Sequence, residues 1–258
     1  MHRGRHHPLV FLHGFLGNPA DFSTLPLWKN SPERYAPDLL ALLPAANHES
    51  DVTSHHTTNP WFHDWLTAIA ANIVAHWGTS VRPVLIGYSL GGRIAMNLVA
   101  QHSAAYTAAI FISANPGISE ASERQLRVQQ DMYWATRWET EPFDVVLNAW
   151  NALPIFAGTP DKRPNLSPCQ RDQWAQVLRF ASPGHTPCLW STIPQWTLPT
   201  LWMVGKQDPK YVAMYSQLKT KVAQIEGAAH RVPWDAPEVF SDHCEHFLRS
   251  LPRHRSPT

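Results

Sequence analysis

The sequence predicts an α/β architecture: a mostly parallel sheet with helices on both faces and a helical insertion between two of its strands. Three observations carry this. Four short apolar runs are unbroken rather than alternating and are followed by turn residues, the pattern of strands buried on both faces, and a weaker fifth follows them. Stretches of helical character alternate with them. One long interval, residues 117–195, holds helical patterns and no strand pattern.

Taken in order, residues 9–12 form the first strand and stop at His13-Gly14. Residues 59–77 read as a helix. Residues 84–86 are the second strand, closed by Gly87, and residues 91–102 the helix behind it. Residues 109–112 run into Ser113, residues 201–204 into Gly205, and a weaker run, 223–225, precedes Gly227. Residues 237–251 close the chain as a helix. Within the interval, residues 120–137, 142–151 and 167–180 read as helices joined by proline-rich links. The chain therefore divides into a core, residues 1–116 and 196–258, and an inserted helical lid, residues 117–195. Sites in such sheets lie at the carboxyl ends of the strands, so the residues just after each strand matter most.

Composition sets the outer limits. With 258 residues, 44% apolar and 16% charged, the chain can build a sizeable core, which excludes disorder and coiled coil. A net charge of +1 gives no global field to recruit nucleic acid or a membrane surface. Twelve Trp and 23 Pro suit aromatic-lined cavities and many fixed turns. Cys169, Cys188 and Cys244 are far apart, with neither zinc-ligand nor redox spacing, which points to a reducing cytoplasm. The apolar run behind the basic start is too short for a signal peptide, and no stretch approaches the ~18 apolar residues of a membrane span. Nothing in the sequence fixes the oligomeric state.

Gly87-Tyr88-Ser89-Leu90-Gly91 lies between a strand and a helix. A sharp turn there leaves no room for Cβ atoms beside the serine, and it puts Ser89 Oγ at a helix N-terminus, where backbone N–H groups favour negative charge. A serine nucleophile needs a base, and the base an orienting carboxylate. Asp208 follows the 201–204 strand and His230 the 223–225 strand, in the order this arrangement requires. The backbone N–H groups of Phe15 and Leu90 are placed to receive a developing oxyanion. His13 braces its loop. Arg93 lies one helical turn after Ser89 on the same face, where a guanidinium could grip a carboxylate bidentately; an Arg reaching solvent or a structural acid is the other reading. Arg124 and Arg127 share a helix face, with Glu120, Glu123 and Asp131 at ion-pair spacing, so spacing alone favours surface pairs for both. Six Arg and one Lys face eight acidic residues over 117–194, so the insertion is not basic.

These residues resemble the α/β-hydrolase superfamily in residues 9–15, in the 87–93 elbow and in the Asp208 and His230 loops. More narrowly, the chain resembles the 2-succinyl-6-hydroxy-2,4-cyclohexadiene-1-carboxylate synthases of menaquinone or phylloquinone biosynthesis, a likeness covering most of its length. Tyr88, Arg93, Pro116-Gly117, Glu123-Arg124 and Arg127 carry it, extended by Trp134, Glu141-Pro142, Trp150 and Leu178-Arg179. The resemblance implies a lyase on a hydrolase scaffold, with no metal or organic cofactor. It implies that Ser89, Asp208 and His230 are the triad and that Phe15 and Leu90 are the oxyanion donors. It further implies that Arg93, Arg127 and Arg179 hold the carboxylates of a small polycarboxylate substrate, with Tyr88 and Trp150 lining the pocket. The chain departs from the family's usual pattern over residues 36–58, so the loop on that side of the pocket must differ. Two other readings share the same residues: a carboxylic-ester or thioester hydrolase, and a catalytically silent binding protein.

Overall fold

A computed structural model describes residues 7–45, 59–156 and 168–252. Its centre is a six-stranded sheet in the order β2-β1-β3-β4-β5-β6, with every neighbouring pair parallel. The strands are β1 (Leu9–Leu12), β2 (Arg34–Tyr35), β3 (Val84–Tyr88), β4 (Ala108–Ile112), β5 (Thr200–Gly205) and β6 (Val222–Ile225). Five of these are the expected runs, extended by up to two residues. β2 is new: it is two residues long, too short for any periodic signal, and is held as an edge by pairing Leu9 with Arg34.

The helices are α1 (Pro26–Asn30), α2 (Pro60–Trp77), α3 (Leu90–His102), α4 (Ala121–Thr140), α5 (Phe143–Asn151), α6 (Arg171–Phe180), α7 (Pro209–Tyr215), α8 (Val232–Asp235) and α9 (Pro237–Ser250). α2 starts where the Asn59 side chain accepts from the Phe62 N–H at 3.1 Å and Pro60 supplies the fixed first φ. It stops at Gly78, whose N–H still bonds to the Val74 carbonyl and whose φ of 81° turns the chain out of the helix. α1, α7 and α8 are short and went unseen in the sequence, because four to seven residues carry no usable period. The helical stretches expected between β4 and β5 are α4, α5 and α6, with shifted ends. The expected distinctive loop over 36–58 is described only to residue 45; there the backbone makes a turn of 3-10 helix at Leu40–Leu42.

Successive strand residues point to opposite faces, and this sorts the core. Val10, Leu12, Leu85, Phe111, Trp202 and Val204 face one layer with Trp61 and Trp65 of α2. Leu9, Phe11, Val84, Ile86, Ile110 and Met203 face the other with Phe240 and Cys244 of α9. All are buried, and truncating one of the large ones to alanine should cost about 3–5 kcal/mol. Among the described residues no helix is long and apolar enough to cross a membrane.

Register decides which loops meet. Leu12 lies opposite Gly87, so the loop after β1 abuts the turn after β3. Gly205 lies opposite Ile225, which brings the loops after β5 and β6 together. The order β2-β1-β3 reverses direction at β1, the place where such sheets open a crevice.

Candidate active site

Ser89 stands in the crevice with φ 51° and ψ −110°, a sparsely populated conformation for a residue with a side chain. The neighbours explain why the turn tolerates it. A Cβ on Gly87 would lie 2.5 Å from the Gly91 carbonyl oxygen, and one on Gly91 2.0 Å from that of Leu12. The strand and helix therefore approach closely enough to force the bend. The Arg93 N–H bonds to the Ser89 carbonyl at 3.0 Å, starting α3 directly behind the serine.

The Ser89 hydroxyl lies 3.2 Å from His230 Nε2, and His230 Nδ1 lies 2.9 Å from Asp208 Oδ2. Asp208 and His230 are only 3% and 2% exposed, so this contact is shielded from competing water. The other Asp208 oxygen accepts the Tyr211 N–H at 3.1 Å, capping α7 and fixing the carboxylate's direction. Burial pushes the His230 pKa below its ordinary 6.5, against the opposing pull of Asp208, and the Arg231 and Lys210 cations push the same way. A neutral imidazole facing a carboxylate keeps its proton on Nδ1, which leaves the Nε2 lone pair to accept from the Ser89 hydroxyl.

Leu90 is the first residue of α3, so its N–H is among those with no acceptor inside the helix. Phe15 follows β1, its ring 4.7 Å from that of Trp150 and 4.9 Å from that of Trp174. Both line a cavity of about 660 Å³ together with Ser89, His230, Tyr88 and Trp150. Tyr88 is buried, its ring 5.6 Å from that of His230. His13 is fully buried and braces the neighbouring loop: its Nε2 accepts the Leu39 N–H at 3.3 Å, and Trp65 Nε1–H donates to the Leu39 carbonyl at 2.9 Å.

The three arginines separate. Arg93 lines the cavity and donates from one terminal nitrogen to the Ala181 carbonyl at 2.8 Å. Burial, with the nearby Arg127 charge, lowers its pKa to about 10, which still leaves a full cation at neutral pH. Arg127 also lines the cavity; its Nε bonds to Asp131 Oδ2 at 2.8 Å, so the pair that spacing suggested sits on the cavity wall rather than in solvent. Burial works against the Arg127 charge, but Asp131 outweighs it and raises the pKa. Arg124 is turned away, donating to the Ile118 and Ser119 carbonyls. Arg179 departs from the expectation: it is not among the cavity-lining residues. Its Nε bonds to Glu139 Oε1 at 3.0 Å and its terminal nitrogens reach Glu139 and Thr136, so its partners are on α4 rather than in the cavity.

Among the lining residues that escaped sequence reading, two stand beside the relay. Lys210 has no hydrogen-bond or ion-pair partner among the described residues, and its pKa is lowered, chiefly by desolvation and then by Arg127. Tyr211 packs its ring 4.8 Å from that of His230, and burial raises its phenol to about 12. Their only signal was adjacency: residues two and three after the triad acid open a helix whose first turn must face the site. Among the described residues no cluster of His, Cys, Asp or Glu is arranged to hold a metal ion.

A strained nucleophile elbow, a buried Ser–His–Asp relay and donors at a helix N-terminus define a serine-hydrolase-like centre on an α/β sheet. The chain belongs to the alpha/beta hydrolase family, whose model matches residues 9–243, and within it to the relatives named 2-succinyl-6-hydroxy-2,4-cyclohexadiene-1-carboxylate synthase. It is 30% identical to the protein of that name from Serratia proteamaculans, covering 93% of this chain and 92% of the relative. It is also 30% identical to the one from Photorhabdus laumondii, covering 93% and 84%. Among solved structures it is similar to MenH from S. aureus, with a TM-score of 0.77 and 24% identity over 94% of this chain and 93% of that one. The N-acyl homoserine lactonase AidH shares the fold at a TM-score of 0.68 and 19% identity, covering 98% and 93%.

Proposed function

We propose that the protein is a carbon–oxygen lyase of menaquinone biosynthesis. It eliminates pyruvate from 2-succinyl-5-enolpyruvyl-6-hydroxy-3-cyclohexene-1-carboxylate and leaves 2-succinyl-6-hydroxy-2,4-cyclohexadiene-1-carboxylate. The observation that carries this reading is Arg93 beside the elbow. Its charge faces the cavity one turn from Ser89, a placement that suits a carboxylate and gives a neutral ester nothing.

The chemistry follows from the names of substrate and product. The proton on ring carbon 2 is acidic because the succinyl ketone is adjacent. His230, oriented by Asp208, draws the hydroxyl proton of Ser89, and the serine oxygen takes the carbon-2 proton. The electron pair forms a double bond from carbon 2 to carbon 3, the existing double bond moves to carbons 4 and 5, and the bond from carbon 5 to oxygen breaks. Enolpyruvate departs, gains a proton and becomes pyruvate. Charge that gathers on the ketone oxygen meets the Phe15 and Leu90 N–H groups, fixed before reaction begins. Ser89 acts here as a proton carrier, and no acyl-enzyme forms.

The substrate carries three carboxylates. Arg93 and Arg127 are their partners, and Lys210 adds a third charge that Arg179, held by Glu139, does not bring. Tyr88 and Trp150 supply apolar walls for the ring. In this reading residues 117–195 are a lid over the core of residues 1–116 and 196–258, and the enzyme is cytoplasmic. Three free cysteines, one of them buried, accord with a reducing compartment. Incubation with the substrate should release pyruvate and build the conjugated-diene absorbance, with p-nitrophenyl acetate turned over far more slowly. Rapid cleavage of the ester without pyruvate release would instead make the protein a carboxylic-ester or thioester hydrolase.

A further inference from the structure

Arg231 follows His230 directly and is fully buried, yet it does not line the cavity. A buried guanidinium is costly, and a well-packed apolar side chain of the same volume is commonly as stable or more so. The terminal nitrogen of Arg231 donates to Asn151 Oδ1 at 2.6 Å, across 80 residues of chain, and its guanidinium carbon stands 4.2 Å from the centre of the Phe156 ring. Asn151 is the last residue of α5, and Phe156 ends the short turn of helix that follows. The segment between them, Leu153, Pro154 and Ile155, forms a wall of the cavity, and Phe156 lies edge-on to His230 at 5.7 Å.

We propose that Arg231 is a positioning residue that pins the strap of residues 151–156 to the loop of the triad histidine. One side chain does two things at once. Its terminal nitrogen donates to Asn151, and its guanidinium carbon lies over the Phe156 ring, which in turn closes one side of the His230 imidazole. The strap and the base are thereby set in one register, with the cavity wall dry where the proton moves. Lysine cannot reproduce this, because an ammonium has no plane to stack and no fixed fork.

Arg231→Met keeps the volume and removes the donor. Amide hydrogen exchange, read without substrate, should then accelerate at least about tenfold over residues 151–156. In the same variant kcat/KM should fall about 10- to 100-fold, with most of the loss in KM because the strap is a binding wall. Asn151→Ala should show a smaller change in the same direction, and combining it with Arg231→Met should add little, as partners in one contact do. Arg231→Lys should fail to restore either readout. Should Arg231→Met not fold, Asn151→Ala and Arg231→Lys carry the same two readouts. Unchanged exchange over 151–156, or full additivity of the two substitutions, overturns the proposal. Exchange needs no substrate, so it stands apart from the lyase reading: if pyruvate release fails while the strap still loosens, only the lyase reading falls.

Discussion

The ends of the strands and the helical layer between β4 and β5 place their charged groups by different means. Every residue of β4 is buried, and the loops after β3, β5 and β6 are tied by backbone register to neighbours that cannot move independently. Ser89, Asp208 and His230 are where they are because the sheet is where it is. α4 is twenty residues long and buries only Asp131, Ala135 and Trp138. Its arginines go wherever an acid or a carbonyl takes them: Arg127 to Asp131, Arg124 to Ile118 and Ser119, Arg137 to Glu141. In the sheet, function is fixed by backbone geometry. In the layer it is fixed by side-chain competition, in which each exposed pair is worth only about 0.2–1 kcal/mol.

That contrast predicts effects that shrink from the sheet outward. Ser89→Ala and His230→Ala should each lower kcat by about 10³-fold or more, and the double substitution should lose little beyond the worse single one. Pyruvate release under saturating substrate checks it. Near wild-type turnover in Ser89→Ala would remove the relay from the chemistry and leave the helix N-terminus and its donors as the only contribution of the sheet.

Arg93 belongs to the sheet side, because α3 starts directly at the elbow. Arg93→Ala should cost about 2–5 kcal/mol on the polycarboxylate, since a desolvated carboxylate loses its charge-assisted partner. That is roughly 30- to several-thousand-fold in kcat/KM. Slow cleavage of a neutral activated ester, which needs only the relay and the oxyanion donors, should be spared. Equal losses on both substrates would mean that Arg93 supports the loop at Ala181 rather than binding substrate.

The His230 environment gives the pH dependence its sign. Burial lowers its pKa below 6.5, and the base must be unprotonated to draw the Ser89 proton. So kcat/KM should rise with pH to a plateau, with its half-maximum below 6.5, and should fall only as pH drops through that lowered value. A half-maximum above 6.5 would show that Asp208 outweighs burial, and that the site is wetter than its 2–3% exposure implies.

The sequence was legible where one physical constraint acts alone. Unbroken apolar runs of three or four residues mark strands buried on both faces, and glycines at 87 and 91 mark a turn where a Cβ would strike backbone. Those two signals located β1, β3, β4 and β5 with Ser89 and Asp208, while His230 was found from the weaker run before Gly227 and from the chain order of the three residues. Legibility failed where length or competition decides. β2 and α7 are shorter than any period that could announce them, and α7 took Lys210 and Tyr211 out of view with it. Arg127 was ambiguous for a real reason: it is both the ion pair its spacing suggests and a residue of the cavity wall, because Asp131 is buried beside the cavity rather than exposed.

Arg179 is the sharpest case and carries the smallest predicted effect. It sits on α6 and bonds through Nε and a terminal nitrogen to Glu139 of α4, with the two side chains 26% and 37% exposed. A pair that open to water is screened by salt and returns little for the two long side chains it immobilises. Arg179→Ala should therefore change kcat/KM less than about threefold and stability by about 0.2–1 kcal/mol, with the stability loss shrinking further in high salt. Glu139→Ala distinguishes the remaining options, because it frees Arg179 without removing it. If Arg179 is only a brace between α4 and α6, both substitutions should act alike and weakly. If Glu139→Ala instead lowers KM while Arg179→Ala raises it, then Glu139 holds back an arginine that the substrate can recruit, and the helical layer closes by exchanging an acid partner for a carboxylate of the substrate.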